Sequence, residues 1–220
     1  MENSVRFPHL LRAEILDGLD AAFKKSFINA CNIAAYDKPT VIYEQDMAAR
    51  CVMILAHGHV DVTYLGNSGI EMFIIRLRSG TAIAEMEVIS ELPCMATCKT
   101  SKNAIILECP RALLDTALLQ PVFLKNMISA FYKRLSYVNW SKYLTQFCTV
   151  EERLRGYLYV LSANSLTITE TQANLASMIG CSRQTVNREL VLLKEAKLIA
   201  PSGSGITVLD RESLGRGVLD

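Results

Sequence analysis

A chain of 220 residues, half of them apolar and one in five charged, is long enough for two modest domains with their own cores and too apolar for a disordered segment. The formal net charge of +1 does not argue against nucleic-acid binding, because a protein that reads DNA through one short helix needs local rather than global positive charge. Seven cysteines, at 31, 51, 94, 98, 109, 148 and 181, are scattered and odd in number with no CxxC pair, which excludes a secreted disulfide framework and leaves most of them as small buried apolar groups.

Residues 1–19 are interrupted by Glu2, Arg6, His9, Arg12, Glu14 and Asp17, so no secretory signal is expected there. No apolar run reaches the length that spans a bilayer, and a cytoplasmic protein without a membrane partner is expected. A helical prelude over 13–31 precedes short strands at 41–43, 51–55, 60–64, 72–75 and 105–107. The turn signals lie at 37–39, 57–59, 66–69 and 78–80. Many short strands at this spacing predict a sandwich, jelly roll or barrel.

From Arg111 the pattern turns helical, and Pro121, well placed at a helix start, opens a long helix to about Phe147. Leu124, Ile128, Phe131, Leu135 and Val138 recur at spacings of 4, 3, 4 and 3, the apolar seam of a two-stranded coiled coil, which implies a homodimer. Tyr137, Trp140, Leu144 and Phe147 form a second stripe suited to burial. Thr149 and Glu152 have capping-box spacing, so a further helix should run from Val150 towards Ser162, with 163–165 as its end.

Residues 171–193 read as two short helices around Gly180. Leu175, Met178 and Ile179 share one face of the first, and Val186, Leu190 and Leu193 carry the stripe of the second. Ser182, Arg183, Gln184, Thr185, Asn187 and Arg188 stand polar on the first turns of that second helix, where a major groove would lie. Arginine grips guanine bidentately, and glutamine or asparagine does so with adenine. A strand at 197–199, a turn at 201–205 and a strand at 206–209 complete a winged helix-turn-helix.

Rival chemistries are weaker. His57-Gly-His59 has the spacing of a metal-binding jelly roll, but the positions after it offer Thr63 and Tyr64, and the one other histidine is His9. Only Cys31 precedes Cys51, so an N-terminal iron-sulfur cluster lacks ligands. A thiol switch would use Cys94 with Cys98, or Cys181 at a helix start where the helix dipole lowers a thiol pKa. No Ser/His/Asp set, phosphate loop or carboxylate pair is convincing, so neither an enzyme nor a resident cofactor is expected.

Sheet domain, long helix and winged helix-turn-helix in that order resemble the cyclic-AMP receptor protein/FNR (Crp/Fnr) family of bacterial transcription regulators. The most specific element, Gly180-Cys-Ser-Arg-Gln-Thr-Val-Asn-Arg188, is similar to the family's recognition pattern GCSRETVxR. The resemblance implies an α+β fold, with a cyclic-nucleotide-binding-like β-roll over 1–118, a dimerisation helix over 119–147 and a DNA-binding domain over 148–220. It places Arg183, Gln184 and Arg188 at base-reading positions and the hydroxyls of Ser182 and Thr185 on phosphate. Gln184 stands where the cyclic-AMP receptor has glutamate, which implies a half-site related to TGTGA or TTGA but altered at one pair.

In the stretch corresponding to the family's phosphate cassette only Glu85 is retained. Ala84 replaces the glycine, while Cys94 and Met95 replace an arginine and a serine, and Glu87 and Glu91 add negative charge. Val138 and Asn139 align with the adenine-contacting threonine and serine. The resemblance therefore implies a small effector other than cyclic AMP. Its pocket would draw on Glu85, Met86, Ile89, Cys94, Met95, Lys133, Tyr137, Val138 and Asn139. Double-stranded DNA, a second copy of the chain and RNA polymerase are the implied macromolecular partners.

Overall fold

The computed structural model describes residues 1–163, 165–203 and 205–216. The chain forms two compact units, Met1–Leu135 and Ser136–Asp220. The boundary falls inside one 27-residue helix.

The first unit opens with α1 (Asn3–Arg6), two single turns of 3-10 helix (Pro8–Arg12 and Glu14–Leu16) and α2 (Ala21–Ala30). The predicted prelude over 13–31 is thus broken rather than continuous. Gly18 takes a left-handed φ of +69°, and the Asp20 side chain accepts from Phe23 N at 2.8 Å to start α2 afresh. The strands follow as β1 (Asn32–Tyr36), β2 (Val41–Tyr43), β3 (Val52–His57), β4 (His59–Leu65), β5 (Glu71–Arg78) and β6 (Ala82–Ile83). After α3 (Glu85–Ser90) come β7 (Thr97–Thr100), β8 (Ala104–Cys109), α4 (Arg111–Leu118) and the long helix α5 (Pro121–Phe147).

Eight strands make two antiparallel four-stranded sheets, ordered β1-β8-β3-β6 and β2-β7-β4-β5. β1, β6 and β7 had no counterpart among the predicted strands. β6 has two residues and β7 carries Thr, Cys and Lys, so neither offers a periodic apolar signal. The unbroken apolar run of β3 is explained by two buried faces. Val52, Ile54 and Ala56 face a core shared with Leu16, Phe27, Leu114, Phe123 and Met127 of the helical layer. Met53 and Leu55 join Tyr43, Val60, Ile83, Cys98 and Ile106 in a second core.

In the second unit the remainder of α5 is followed by α6 (Val150–Leu161), β9 (Thr167–Ile168), α7 (Gln172–Ile179), α8 (Arg183–Glu195), β10 (Ile199–Ser202), β11 (Gly205–Val208) and α9 (Arg211–Gly215). Both halves of the predicted capping box form at α6, Thr149 N donating to Glu152 Oε2 at 2.7 Å and Glu152 N to Thr149 Oγ1 at 3.3 Å. Asn164, within the predicted end of that helix, lies outside the described residues.

The wing is a three-stranded sheet in the order β10-β11-β9. Its first strand lies later than predicted, because Lys197 takes a φ of +58° in a turn and pairing begins at Ile199. Ser204 of the predicted wing turn also lies outside the described residues. Of the second α5 stripe, Leu144 is buried and Tyr137 and Trp140 half-buried, but Phe147 is 73% exposed at the helix end.

Candidate nucleic-acid interface

Gly180 closes α7 in the left-handed conformation, φ +67°, which a side chain resists. Two residues later Ser182 caps α8, its hydroxyl accepting from Thr185 N at 3.2 Å and lying 2.9 Å from the Thr185 hydroxyl. The turn is therefore closed by glycine on one side and a serine cap on the other, and it fixes where α8 begins.

Val186, Glu189 and Leu193 are buried on α8, and Leu175, Met178 and Ile179 are buried on α7. The predicted stripe of α8 is corrected at one seat: Glu189 is buried and Leu190 only partly so. On the opposite side Ser182, Arg183, Gln184, Asn187 and Arg188 are exposed, with Thr185 half-buried. The six polar residues thus share the N-terminal two turns of one helix, whose backbone N–H groups also favour an anion. Arg183 Nε reaches Gln172 Oε1 at 3.5 Å, whereas Arg188 is held more tightly by Glu189.

The nine residues named for an effector pocket are divided by the structure. Glu85 is wholly buried at the start of α3 and pairs with the Arg134 guanidinium, which also donates to Ala82 O at 3.1 Å. Burial pushes the Glu85 carboxyl up, while Arg134 pulls it down. Arg134 was not singled out in the sequence, since a partner four elements away leaves no local signal. Met86 and Ile89 are half-buried, Ile89 against the helix-side core, while Cys94 packs in the other core and Met95 is 60% exposed. Lys133 is exposed and bonded to Glu14 at 2.5 Å.

Tyr137, Val138 and Asn139 belong to the second unit. The Tyr137 ring lies against Trp140 and Tyr157, with centroids 5.7 and 6.4 Å apart, and Val138 and Asn139 are exposed. On α5 Leu124, Ile128, Leu135 and Val138 of the predicted seam are exposed and Phe131 half-buried, whereas Phe123 and Met127 are buried.

Cys31, Cys94, Cys98 and Cys109 are buried, as expected, and the thiols that a switch would use are all shifted upwards. Burial raises the Cys181 pKa, outweighing the lowering expected from a helix start. Cys94 lies outside β7 and is also raised by burial, and Cys98 within it is pushed up to about 12.

Comparison with known proteins agrees along the chain. The model of the cyclic nucleotide-binding domain matches residues 34–120, and that of the Crp-like helix-turn-helix domain matches residues 152–216. The cAMP-activated global transcriptional regulator CRP of Salmonella typhimurium is 25% identical over 195 residues, covering 83% of this chain and 91% of the relative. Its Pasteurella multocida counterpart is 23% identical over 197 residues, with 83% and 92% covered.

Among solved structures, FixK2 from Bradyrhizobium japonicum shares the fold with a TM-score of 0.74 at 18% identity, over 84% of this chain and 95% of that one. The c-di-GMP responsive regulator CLP of Xanthomonas campestris does so with a TM-score of 0.69 at 19% identity, over 87% and 100%. With a cyclic-nucleotide-binding domain and a Crp-like helix-turn-helix matched in tandem on the two halves of this fold, the chain belongs to the Crp/Fnr family of DNA-binding transcription regulators.

Proposed function

We propose that this regulator acts as a homodimer whose paired α8 helices enter successive major grooves of a pseudo-palindromic site. The observation that carries this reading is the reader face of α8, where Arg183, Gln184, Asn187 and Arg188 are exposed on a helix anchored from behind by Val186 and Leu193. Arg183, Gln184 and Arg188 meet base edges, Asn187 stands beside them, and Ser182 and Thr185 meet phosphate. The dimer is held along α5 by Leu124, Ile128, Phe131, Leu135 and Val138, of which all but the half-buried Phe131 are too exposed to serve the core of one chain. RNA polymerase is the partner that turns binding into regulation.

The relatives are cAMP-activated by name, but we propose a different small effector for this chain. Cys94 and Met95 offer no cation or hydroxyl to a cyclic phosphate, and Glu85 is engaged by Arg134. The effector shifts the population towards the dimer arrangement that fits DNA. A thiol switch is the weaker reading, since burial raises Cys94, Cys98 and Cys181 alike and thiolate is the reactive form.

Selection of bound DNA from a random pool tests the reading, run without ligand, with cyclic AMP, with candidate metabolites and with oxidant. Enrichment of two half-sites about one helical turn apart, indifferent to cyclic AMP, is the expected result. Enrichment of single half-sites bound equally well by monomer would overturn it.

A further inference from the structure

The seat at 189 is unusual for its place. Helical periodicity puts an apolar side chain between Val186 and Leu193, yet Glu189 is 7% exposed there. A buried carboxylate costs more than an apolar group unless it is paired. Its partner is the neighbouring arginine of the reader face: Arg188 Nε and Nη2 both donate to Glu189 Oε1, at 3.3 and 3.1 Å. The pair is asymmetric, with 9% of the Glu189 side chain exposed against 72% of Arg188. One end is therefore fixed in the domain and the other presented to solvent.

We propose that Glu189 is a positioning residue that sets the orientation of Arg188 for base reading and holds it back from stray phosphate contact; this rests on the reading of α8 as the base-reading helix. Two N–H groups on one edge of the guanidinium are taken by a single anchored oxygen, which fixes the plane of the group. The Nη1 hydrogens and the outer Nη2 hydrogen stay free, and that second edge is the one a guanine would take through O6 and N7. An arginine held this way has less rotamer freedom to lose on binding DNA. Arg183, whose contact to Gln172 is 3.5 Å long, lacks such a clamp. The carboxylate charge beside Arg188 also disfavours the close approach of phosphate, so the pair works for discrimination rather than for general affinity.

The test is DNA selection by full-length wild type, Glu189→Ala, Glu189→Gln, Glu189→Leu and Arg188→Ala, with affinity for random-sequence DNA measured in parallel. Arg188→Ala identifies the base pair that Arg188 reads. Glu189→Ala is expected to reduce preference at that pair by about tenfold, without weakening random-sequence binding. Glu189→Leu, which fills the seat with no acceptor, should do the same, and Glu189→Gln, which keeps an acceptor oxygen, should fall between. The proposal is overturned if Glu189→Leu keeps the wild-type preference, or if the substitutions weaken binding equally at every sequence, since both outcomes mark a merely structural seat. If Arg188→Ala changes no position of the preference matrix, the base-reading assignment itself has failed, and the role of Glu189 falls with it.

Discussion

Glu85, with no exposed surface, meets the guanidinium of Arg134 on α5, a residue that keeps 39% of its side chain in water. A carboxylate at a helix start and a cation on the longest helix of the chain thus share one buried contact within the first unit. Burial holds the Glu85 carboxyl above its ordinary value of 4.5, so the folded state binds a proton more tightly than the unfolded one. Stability from this group is therefore complete below that ordinary value and is lost as pH rises through the raised one.

Arg134→Ala should raise the Glu85 pKa further and extend the loss to higher pH. At neutral pH the variant should be less stable by about 3 kcal/mol, the low end for an orphaned buried charge because Arg134 is partly solvated. Glu85→Gln in the same background should recover part of this. Urea unfolding between about pH 5 and pH 8 measures both effects, and a wild-type slope in Arg134→Ala would refute the coupling.

Two glycines of the second unit should respond differently to alanine. At Gly180 a new Cβ would find Arg153 Nη1 no nearer than 3.8 Å, so the cost is backbone strain alone, about 1 to 2 kcal/mol. At Gly205 the same atom would lie 2.0 Å from Ile168 O, forcing β11 from β9, at about 3 kcal/mol. Trp140, the only tryptophan and packed on Tyr157, reports unfolding of this unit by fluorescence. Equal midpoints for the two variants would contradict the contrast.

Ile128 and Leu135 are 58% and 61% exposed, so Glu at either should leave the single chain folded. If they lie in the dimer seam, Ile128→Glu with Leu135→Glu should cost dimerisation about 2 kcal/mol or more per chain. Sedimentation equilibrium should then show monomers of unchanged helicity whose affinity for a two-half-site operator has dropped. A dimer that survives both substitutions would place the interface elsewhere.

Gln184 is exposed on the first turn of α8 and has no hydrogen bond to hold it to the protein among the described residues that would fix its role. An amide both donates and accepts and suits adenine, whereas a carboxylate accepts from the cytosine amino group. Gln184→Glu should therefore shift preference at one base pair by about 1 to 3 kcal/mol, read from the selected DNA pool. An unchanged matrix would remove Gln184 from the reading set.

The amino-acid sequence by itself determined what is encoded within a few residues. The Thr149–Glu152 capping box, the Gly180 turn, the Pro121 helix start and the polar run from Ser182 to Arg188 are local codes, in which the groups that interact are less than two helical turns apart. Such codes sufficed for the long helix, the helix-turn-helix and the candidate reader face. They did not reveal β6 or β7, whose pairing comes from distant strands, or that β3 is buried on both faces.

Only the tertiary structure decided which charged groups are inside. Glu85 is buried because packing brings Arg134 over it, and Glu189 because α8 docks with that face inward. Burial likewise reversed the expected shift at Cys181, where desolvation outweighs the helix start. Solvation is a property of the folded surroundings, not of the residue or its neighbours in the chain, so a pattern of residue types shows where a helix lies but not which of its carboxylates and thiols will be deprived of water.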